Sequence, residues 1–492
     1  MARRATSGAL TRITLDPNAN RSIVQQIFDA VRDAILTGRL ERGQQVPPTR
    51  QLASKLRVAR STVVLAYEQL IAEGYLGAAA GSGSFVLGFK GPGSLNAMDA
   101  PGPLKSRKVA RRVSAYCRAM VGRRETRGAV PFRLGEPALD AFPTRTWQRL
   151  HRERWAAGEG GFLAYGDPAG YTPLREALVR HLAEARGLKA DAAQVLLVRG
   201  VRQGLDLVAR VLLDPGDAAW VEDPGEIMAR AALAGAGARI VPVPVDDDGL
   251  DVSAGLEAAP NARLACVAPA HQFPLGVAMS LARRAELLEW ASAAGAWIVE
   301  NDAGGELRSD QRPAMALQGL DADDRVIYAG SFSKTLFPAL RLGYLIVPKD
   351  LVASFARVRA ATDHLSPTIE QAVIADFLTG GHFARHVRRM RALYRERRDA
   401  LVVAVRHEMG DLASVTSAPT GMHLIAWLHP EADDRRVSRL AGEVGIDAPP
   451  LSLYGIETPR PPGLVLGYAS LDERAIQESV RTLRDVLERA SA

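Results

Sequence analysis

The sequence predicts a multidomain chain: a small three-helix module closed by a hairpin, then a larger α/β unit that ends in a small α+β subdomain. Three observations carry this reading. At 492 residues the chain is too long for a single core. Its charge is uneven: residues 1–128 hold 21 Lys and Arg against 8 Asp and Glu, which leaves 41 against 47 of the totals for the rest. The apolar pattern also changes, from short helical stripes at the front to apolar runs alternating with helices behind.

In the front module Ile23, Ile27, Val31 and Ile35 recur four apart, the stripe of an amphipathic helix over Ile23–Leu36. After the turn TGRLERGQQVPP, Thr49 is the expected N-cap of a short second helix through Leu52, Ala53 and Leu56. A break at Arg57–Arg60 leads into a third helix, STVVLAYEQLIAEG, which Gly74 stops. Two short apolar pairs, Tyr75–Leu76 and Phe85–Val86, flank the turn Gly81–Ser84 and read as a hairpin. Helix, helix, break, helix, hairpin is a winged helix-turn-helix, whose third helix enters the major groove by its N-terminal residues. The excess of basic charge over residues 1–128 suits a nucleic-acid partner.

Residues 20–88 resemble a GntR-type winged-helix domain, on VPPTRQLASKL, VARSTVVLAYEQLIAEGYL and the wing GSGSF. The resemblance implies that Arg50, Arg60, Ser61, Thr62, Tyr67, Ser82 and Gly83 face double-stranded DNA. Tyr67 suits core packing as well as a phosphate contact. Arg57 stands where the family usually has Gly, which predicts a tighter or tilted turn. Residues 89–128 change character, from GPGSLNAMDAPGP to an Arg-dense run, and read as a basic flexible linker. Of the two readings of that run, DNA contact or simple solvation, solvation is favoured.

From residue 129 to 492 short apolar runs alternate with helical patterns. The strand-like runs are Gln194–Val198, Ala218–Val221, Arg239–Val243, Leu264–Val267, Trp297–Glu300, Val326–Ala329 and Gly343–Val347. Helical patterns fall at Leu174–Arg186, Gly204–Leu213, Ile227–Ala234 and Ala282–Ala294. Such alternation predicts a largely parallel sheet that binds ligands at the carboxyl ends of its strands. Long helices follow over Leu351–Met409, and strand-like runs at His423–Trp427 and Val465–Tyr468 mark the small subdomain.

Within GSFSKTLFPALRLGYL (Gly330–Leu345) one Lys sits among small and apolar residues. Such a Lys is expected to be partly buried, and a buried amine can be neutral enough to form a Schiff base. Ser331, Ser333 and Arg341 supply hydroxyls and a planar cation suited to a phosphate. The body resembles a fold-type-I, aspartate-aminotransferase-like enzyme dependent on pyridoxal 5′-phosphate (PLP). The matching stretches include Tyr165–Leu182, Arg199–Asp217, Val221–Gly225, Glu300–Arg308 and Gly330–Tyr344. HQFPLG at His271–Gly276 resembles the MocR branch of GntR regulators, in which a winged helix is fused to an aminotransferase-like domain.

That resemblance implies a Schiff base on Lys334 and a phosphate held by Ser331, Ser333 and Arg341. Backbone amides of Val201–Arg202 would add to it, with Tyr165 reaching over from a partner subunit of a homodimer. Three departures bear on the cofactor's electronics. Asn301 stands where the family has an Asp against the pyridine nitrogen. Ala303 replaces a Tyr that donates to the ring hydroxyl, and Glu226 replaces a Tyr that packs near the ring. Asp302 is adjacent to Asn301, but neighbouring strand residues point to opposite faces. The Arg that holds a substrate carboxylate in catalytic relatives is also missing: Val465 occupies its strand, with Arg460 as a stand-in.

The expectation is therefore a DNA-binding transcriptional regulator whose body binds PLP, a small amino-compound effector, or both. The alternatives are a working aminotransferase acting on an amino acid, or a regulator whose body has lost PLP. Only Cys117 and Cys266 are present, which speaks against a disulfide framework or a cysteine-rich metal site. With no signal-like or membrane-spanning run, the expected compartment is the cytoplasm.

Overall fold

Ile27, Val31 and Ile35 fall on one side of helix α1 (Ile23–Leu36) and are buried against helix α3 (Arg60–Ala72), through Val63, Ala66 and Leu70. The computed structural model describes residues 13–16, 19, 21–79, 83–87, 113, 130–158, 162–302, 304–308, 315–363, 366–415 and 421–491. The chain divides into two compact units, Met1–Lys108 and Val109–Ala492.

In the first unit helix α2 (Thr49–Leu56) lies between α1 and α3 in sequence, and a two-stranded antiparallel hairpin follows, β1 (Leu76–Ala79) with β2 (Gly83–Val86). This is the winged helix-turn-helix expected. One detail differs. Pro48, not Thr49, is the N-cap of α2, and no side chain caps it, because Thr49 is already helical. In the turn after α2, Arg57 adopts the left-handed conformation, φ 56 and ψ 39, that a glycine would take readily. Ser82 and the linker 89–128, apart from Val113, lie outside the described residues.

The second unit is built on an eight-stranded sheet. In chain order its strands are β3 (Val195–Val198), β4 (Ala218–Asp223), β5 (Arg239–Asp246), β6 (Gly249–Leu250), β7 (Leu264–Val267), β8 (Trp297–Asn301), β9 (Val326–Ser331) and β10 (Gly343–Ile346). Across the sheet they run β3-β10-β9-β8-β7-β4-β5-β6. The five from β9 to β5 are parallel, whereas β10 runs antiparallel to both its neighbours and β6 to β5. Both faces are buried. Val221, Cys266, Val299 and Ile327 pack under the helices Val201–Leu212 and Ile227–Gly235. Residues of the other parity, Trp220, Ala265 and Ile298, face Leu287 and Trp290 of the helix Leu281–Ala294. Helices on both faces explain why these strands read as unbroken apolar runs.

After the sheet, the helical span splits into Val352–Thr362, Thr368–Thr379 and His382–Glu408. A three-stranded antiparallel sheet, β11 (Ala413–Val415), β12 (His423–Leu428) and β13 (Gly463–Gly467), forms the small subdomain. Its core is closed by Tyr394, Leu401 and Val405 of the long helix and by Ile476, Val480 and Leu483 of the last helix, Glu473–Ser491. No helix among the described residues is long and apolar enough to cross a membrane.

Candidate functional site

The parallel strands deliver their last residues to one edge, and there a cavity opens against the small subdomain. Val221 and Glu222 of β4, Cys266 of β7 and Asn301 of β8 line it, as does Lys334 just beyond β9. Met422 and His423 close it from the subdomain.

Lys334 sits in the tight turn after β9 and is half-buried, as its apolar surroundings predict. The turn is pinned from below. Phe332 and Leu336 are buried, the Leu336 amide donates to the Phe332 carbonyl at 2.8 Å, and His386 meets the Thr335 carbonyl at 2.9 Å. The lysine's own chain passes 4.0 Å from where a Cβ on Gly304 would stand.

The expected phosphate groups converge beside this turn. Gly343 of β10 pairs with Ser331 of β9, and Gly343 packs on Gly200, where an added Cβ would lie 3.0 Å from the Gly200 Cα. Gly200, at φ 83, is the N-cap of the helix Val201–Leu212, so the first amides of that helix have no carbonyl of their own to bond. The Arg341 guanidinium lies 3.8 Å from an added Cβ on Gly200. The Ser331 hydroxyl accepts the Ser333 amide at 3.1 Å. Two serines, a guanidinium and a helix N-terminus form a ready anion cradle. Tyr165 is not part of it within one chain: its side chain is 89% exposed.

Asn301 faces the cavity, and its Oδ1 is buried with no hydrogen-bond partner among the described residues. Asp302 is committed elsewhere. Its Oδ2 accepts Arg186 Nε at 2.8 Å and the Tyr328 hydroxyl at 2.5 Å, and both ion-pair partners are buried. Asp302 also lines the cavity and its Oδ1 has no hydrogen-bond partner among the described residues, but its Oδ2 is held away by Arg186 and Tyr328. Glu226 is turned to its own helix, where Oε1 accepts the Met228 amide at 3.4 Å. Ala303 lies outside the described residues.

Sequence reasoning gave several cavity residues no role. Burial and the nearby Lys334 hold His423 well below the usual imidazole range, at about 4, although its Nε2 bonds the Pro274 carbonyl at 2.9 Å. His271 is likewise lowered, by burial first and then by His423, Lys334 and Arg308. Burial pushes the Glu222 carboxyl up to about 7, against the pull of the Ala268 amide and Gln272. Both imidazoles are thus held neutral beside the lysine, while the Glu222 carboxyl keeps its proton to higher pH than an exposed glutamate. Val465 is buried in an apolar cluster with Ile425, Leu451 and Tyr454. Arg460 is no stand-in for the missing arginine, because its guanidinium bonds the Val245 carbonyl.

In the first unit Arg50, Arg60, Ser61 and Gly83 are exposed and Thr62 is half-buried at the start of α3. Arg60 Nε reaches the Thr49 hydroxyl at 3.5 Å, which ties the starts of α2 and α3 together. Tyr67 corrects its expected DNA-facing role. Its ring is 3% exposed in the core, and its hydroxyl donates to the Pro47 carbonyl at 2.9 Å.

A winged helix-turn-helix and a fold-type-I aminotransferase-like unit in one chain define a helix-turn-helix transcriptional regulator. Residues 23–86 match the bacterial regulatory proteins of the gntR family, and residues 131–483 match aminotransferase class I and II. The chain belongs to the MocR-type branch of the GntR regulators. It is 37% identical over 472 residues to the probable rhizopine catabolism regulatory protein MocR of Rhizobium meliloti, covering 96% of this chain and 95% of that protein. It is 36% identical over 409 residues to the regulator TauR of Rhodobacter capsulatus, 80% of this chain and 81% of that one. The kynurenine aminotransferase of Pyrococcus horikoshii superposes with a TM-score of 0.69 at 28% identity, over 78% of this chain and 96% of that one.

Proposed function

We propose that this regulator senses a small amino compound through PLP held on Lys334, without efficient turnover, and acts as a cytoplasmic homodimer. The observation that carries the reading is the pairing of an intact anchor with an altered ring partner. Lys334 and the cradle of Ser331, Ser333, Gly200 and Arg341 converge on one edge of the sheet. Their donor chemistry suits an aldehyde and a phosphate dianion, and the unpartnered Asn301 Oδ1 suits a ring nitrogen. When bound, PLP supplies an aldehyde for amines and a ring able to accept electrons. A neutral amide at Asn301 does not hold that ring protonated as a carboxylate does, and Asp302 is locked to Arg186.

Residues 20–88 would carry the DNA contacts, 89–128 the tether, and 129–492 the sensing and pairing of two chains. A dimer brings two winged helices to two half-sites, and gives the exposed Tyr165 a partner's cradle to reach. A ligand that favours one arrangement over another couples the sites by typically about 1–3 kcal/mol.

The test is a visible spectrum of the purified protein with added PLP, repeated on Lys334→Ala. Wild type should show an imine absorption band that the variant lacks entirely. A wild type with no band leaves the body as a scaffold and sinks the cofactor reading. For the DNA arm, Arg60→Ala should weaken operator binding by about 10- to 100-fold, the size of a lost charged contact to DNA. Unchanged binding would remove α3 from the interface.

A further inference from the structure

Helix α3 divides into two faces. Val63, Ala66, Tyr67 and Leu70 are buried in the core of the first unit. Opposite them Ser61, Leu65, Glu68 and Ala72 recur at spacings of four, three and four, which sets them along one exposed stripe. In the middle of that stripe Leu65 is 53% exposed. Among the described residues of this unit, the other large apolar side chains so exposed are Leu36, at the end of α1, and Leu87, just after β2. An exposed leucine needs no reason on an idle surface. This one stands one turn beyond Ser61, on the helix face that a helix-turn-helix turns to the bases.

The chemistry of the stripe says which part of a duplex it meets. A helix face that runs along a phosphate strand carries Lys or Arg, because every phosphate is a negative charge. Ser61–Ala72 holds neither, and Glu68, one turn beyond Leu65, would be repelled by a phosphate. The exposed cations lie at the edges instead, Arg50 in the first turn of α2 and Arg60 at the start of α3, where they can hold the strands. The stripe between them is therefore suited to the floor of the major groove. That floor is a row of donors and acceptors, interrupted by one apolar group, the C5-methyl of thymine. From this geometry we infer that Leu65 is a specificity-determining residue, which reads a thymine by covering its methyl group. The inference rests on the reading of residues 20–88 as the DNA-binding part of the chain. Arg50 and Arg60 then supply attraction, while Leu65 supplies choice, since a cytosine at the same place offers an amino group that a leucine leaves unpaired.

The experiment uses the full chain and the tightest-binding duplex that it selects from a random-sequence DNA library. Each thymine of that duplex is replaced in turn by deoxyuridine, which keeps the base pair and lacks only the methyl. At one position or more the exchange should weaken wild-type binding by about 3- to 10-fold, the scale set by one buried methyl group. Leu65→Ala should bind the thymine duplex more weakly and lose the sensitivity at the same position. Leu65→Met keeps an apolar contact and should keep the sensitivity. Leu36→Ala, the same truncation of an exposed leucine on α1, should match wild type in both respects. Sensitivity that persists in Leu65→Ala overturns the assignment and leaves the DNA-binding reading standing. A selected duplex with no sensitive thymine does the same. If Leu65→Ala binds DNA as wild type does but sediments as a smaller assembly, the leucine belongs to a contact between copies and the inference is overturned. If the full chain selects no sequence at all, the DNA-binding reading falls and the inference falls with it.

Discussion

Arg57 in the small unit and Asn301 in the large one each stand where the sequence resemblance leads one to expect another residue, and the structure accommodates the two differently. At Arg57 the backbone takes a glycine-like conformation at φ 56, which strains a residue that carries a Cβ. At Asn301 the strand keeps its geometry, with the side chain on the cavity face and its Oδ1 unpartnered. What is lost there is a charge. A backbone can be held in an uncomfortable conformation by its surroundings, at a cost of about 1–2 kcal/mol. The next residue along, Asp302, has its Oδ2 bonded to Arg186 and to the Tyr328 hydroxyl. Departures of shape are thus tolerated by the fold, whereas departures of charge change what the site can do.

The sharpest way to break this contrast is at Asp302. Its ion pair with Arg186 at 2.6 Å is buried on both sides. Arg186→Met leaves a buried carboxylate with only the Tyr328 hydroxyl, and should cost about 3–5 kcal/mol of stability, read from denaturant midpoints. A loss below about 1 kcal/mol would mean that Asp302 is free to turn, and that the charge missing at Asn301 has a ready substitute.

Asn301→Asp tests the other half. Without PLP the added carboxylate stands where the Asn301 Oδ1 already finds no hydrogen-bond donor among the described residues, and should destabilise the chain by about 1–2 kcal/mol. With PLP the sign should reverse, because a carboxylate stabilises a protonated ring nitrogen, and retention of PLP should tighten by about tenfold. Melting curves with and without PLP read both effects. Equal destabilisation in the two conditions would show that position 301 does not meet the ring.

Local signals were legible in the sequence, and contacts between distant segments were not. The four-residue stripe of α1 and the stop at Gly74 located the first unit, and Leu264–Val267 agrees residue for residue because a buried strand is a continuous apolar run. Ser331, Ser333, Lys334 and Arg341 could be read together because they lie within one turn of chain. The helix Thr144–Ala156 was missed: TRTWQRLHRERWA is mostly polar, and only Trp147 and Leu150 of it are buried. Leu351–Met409 read as long helices without fixed breaks, which fall at Pro367 and at Gly380–Gly381. The Arg186–Asp302 pair is 116 residues apart, and no period or motif announces it. The same holds for His423, which reaches the cavity from a different sheet.

Arg57→Gly is the smallest and most exacting test. Glycine takes φ 56 without the clash between Cβ and carbonyl, which relieves about 1–2 kcal/mol of strain. It also gives the unfolded chain more freedom, which takes back about 0.5–1 kcal/mol. The expected outcome is a gain of roughly 0.5–1 kcal/mol in the first unit, read from slower exchange of the α3 amide protons in the full chain. Arg57→Ala keeps the Cβ and should give no gain, since the αL strain is common to all residues with a Cβ. If glycine and alanine behave alike, or if glycine destabilises, the left-handed turn is not where the strain lies. Arg57 would then be held by an interaction of its exposed side chain, and the contrast with Asn301 would become one between two charges rather than between shape and charge.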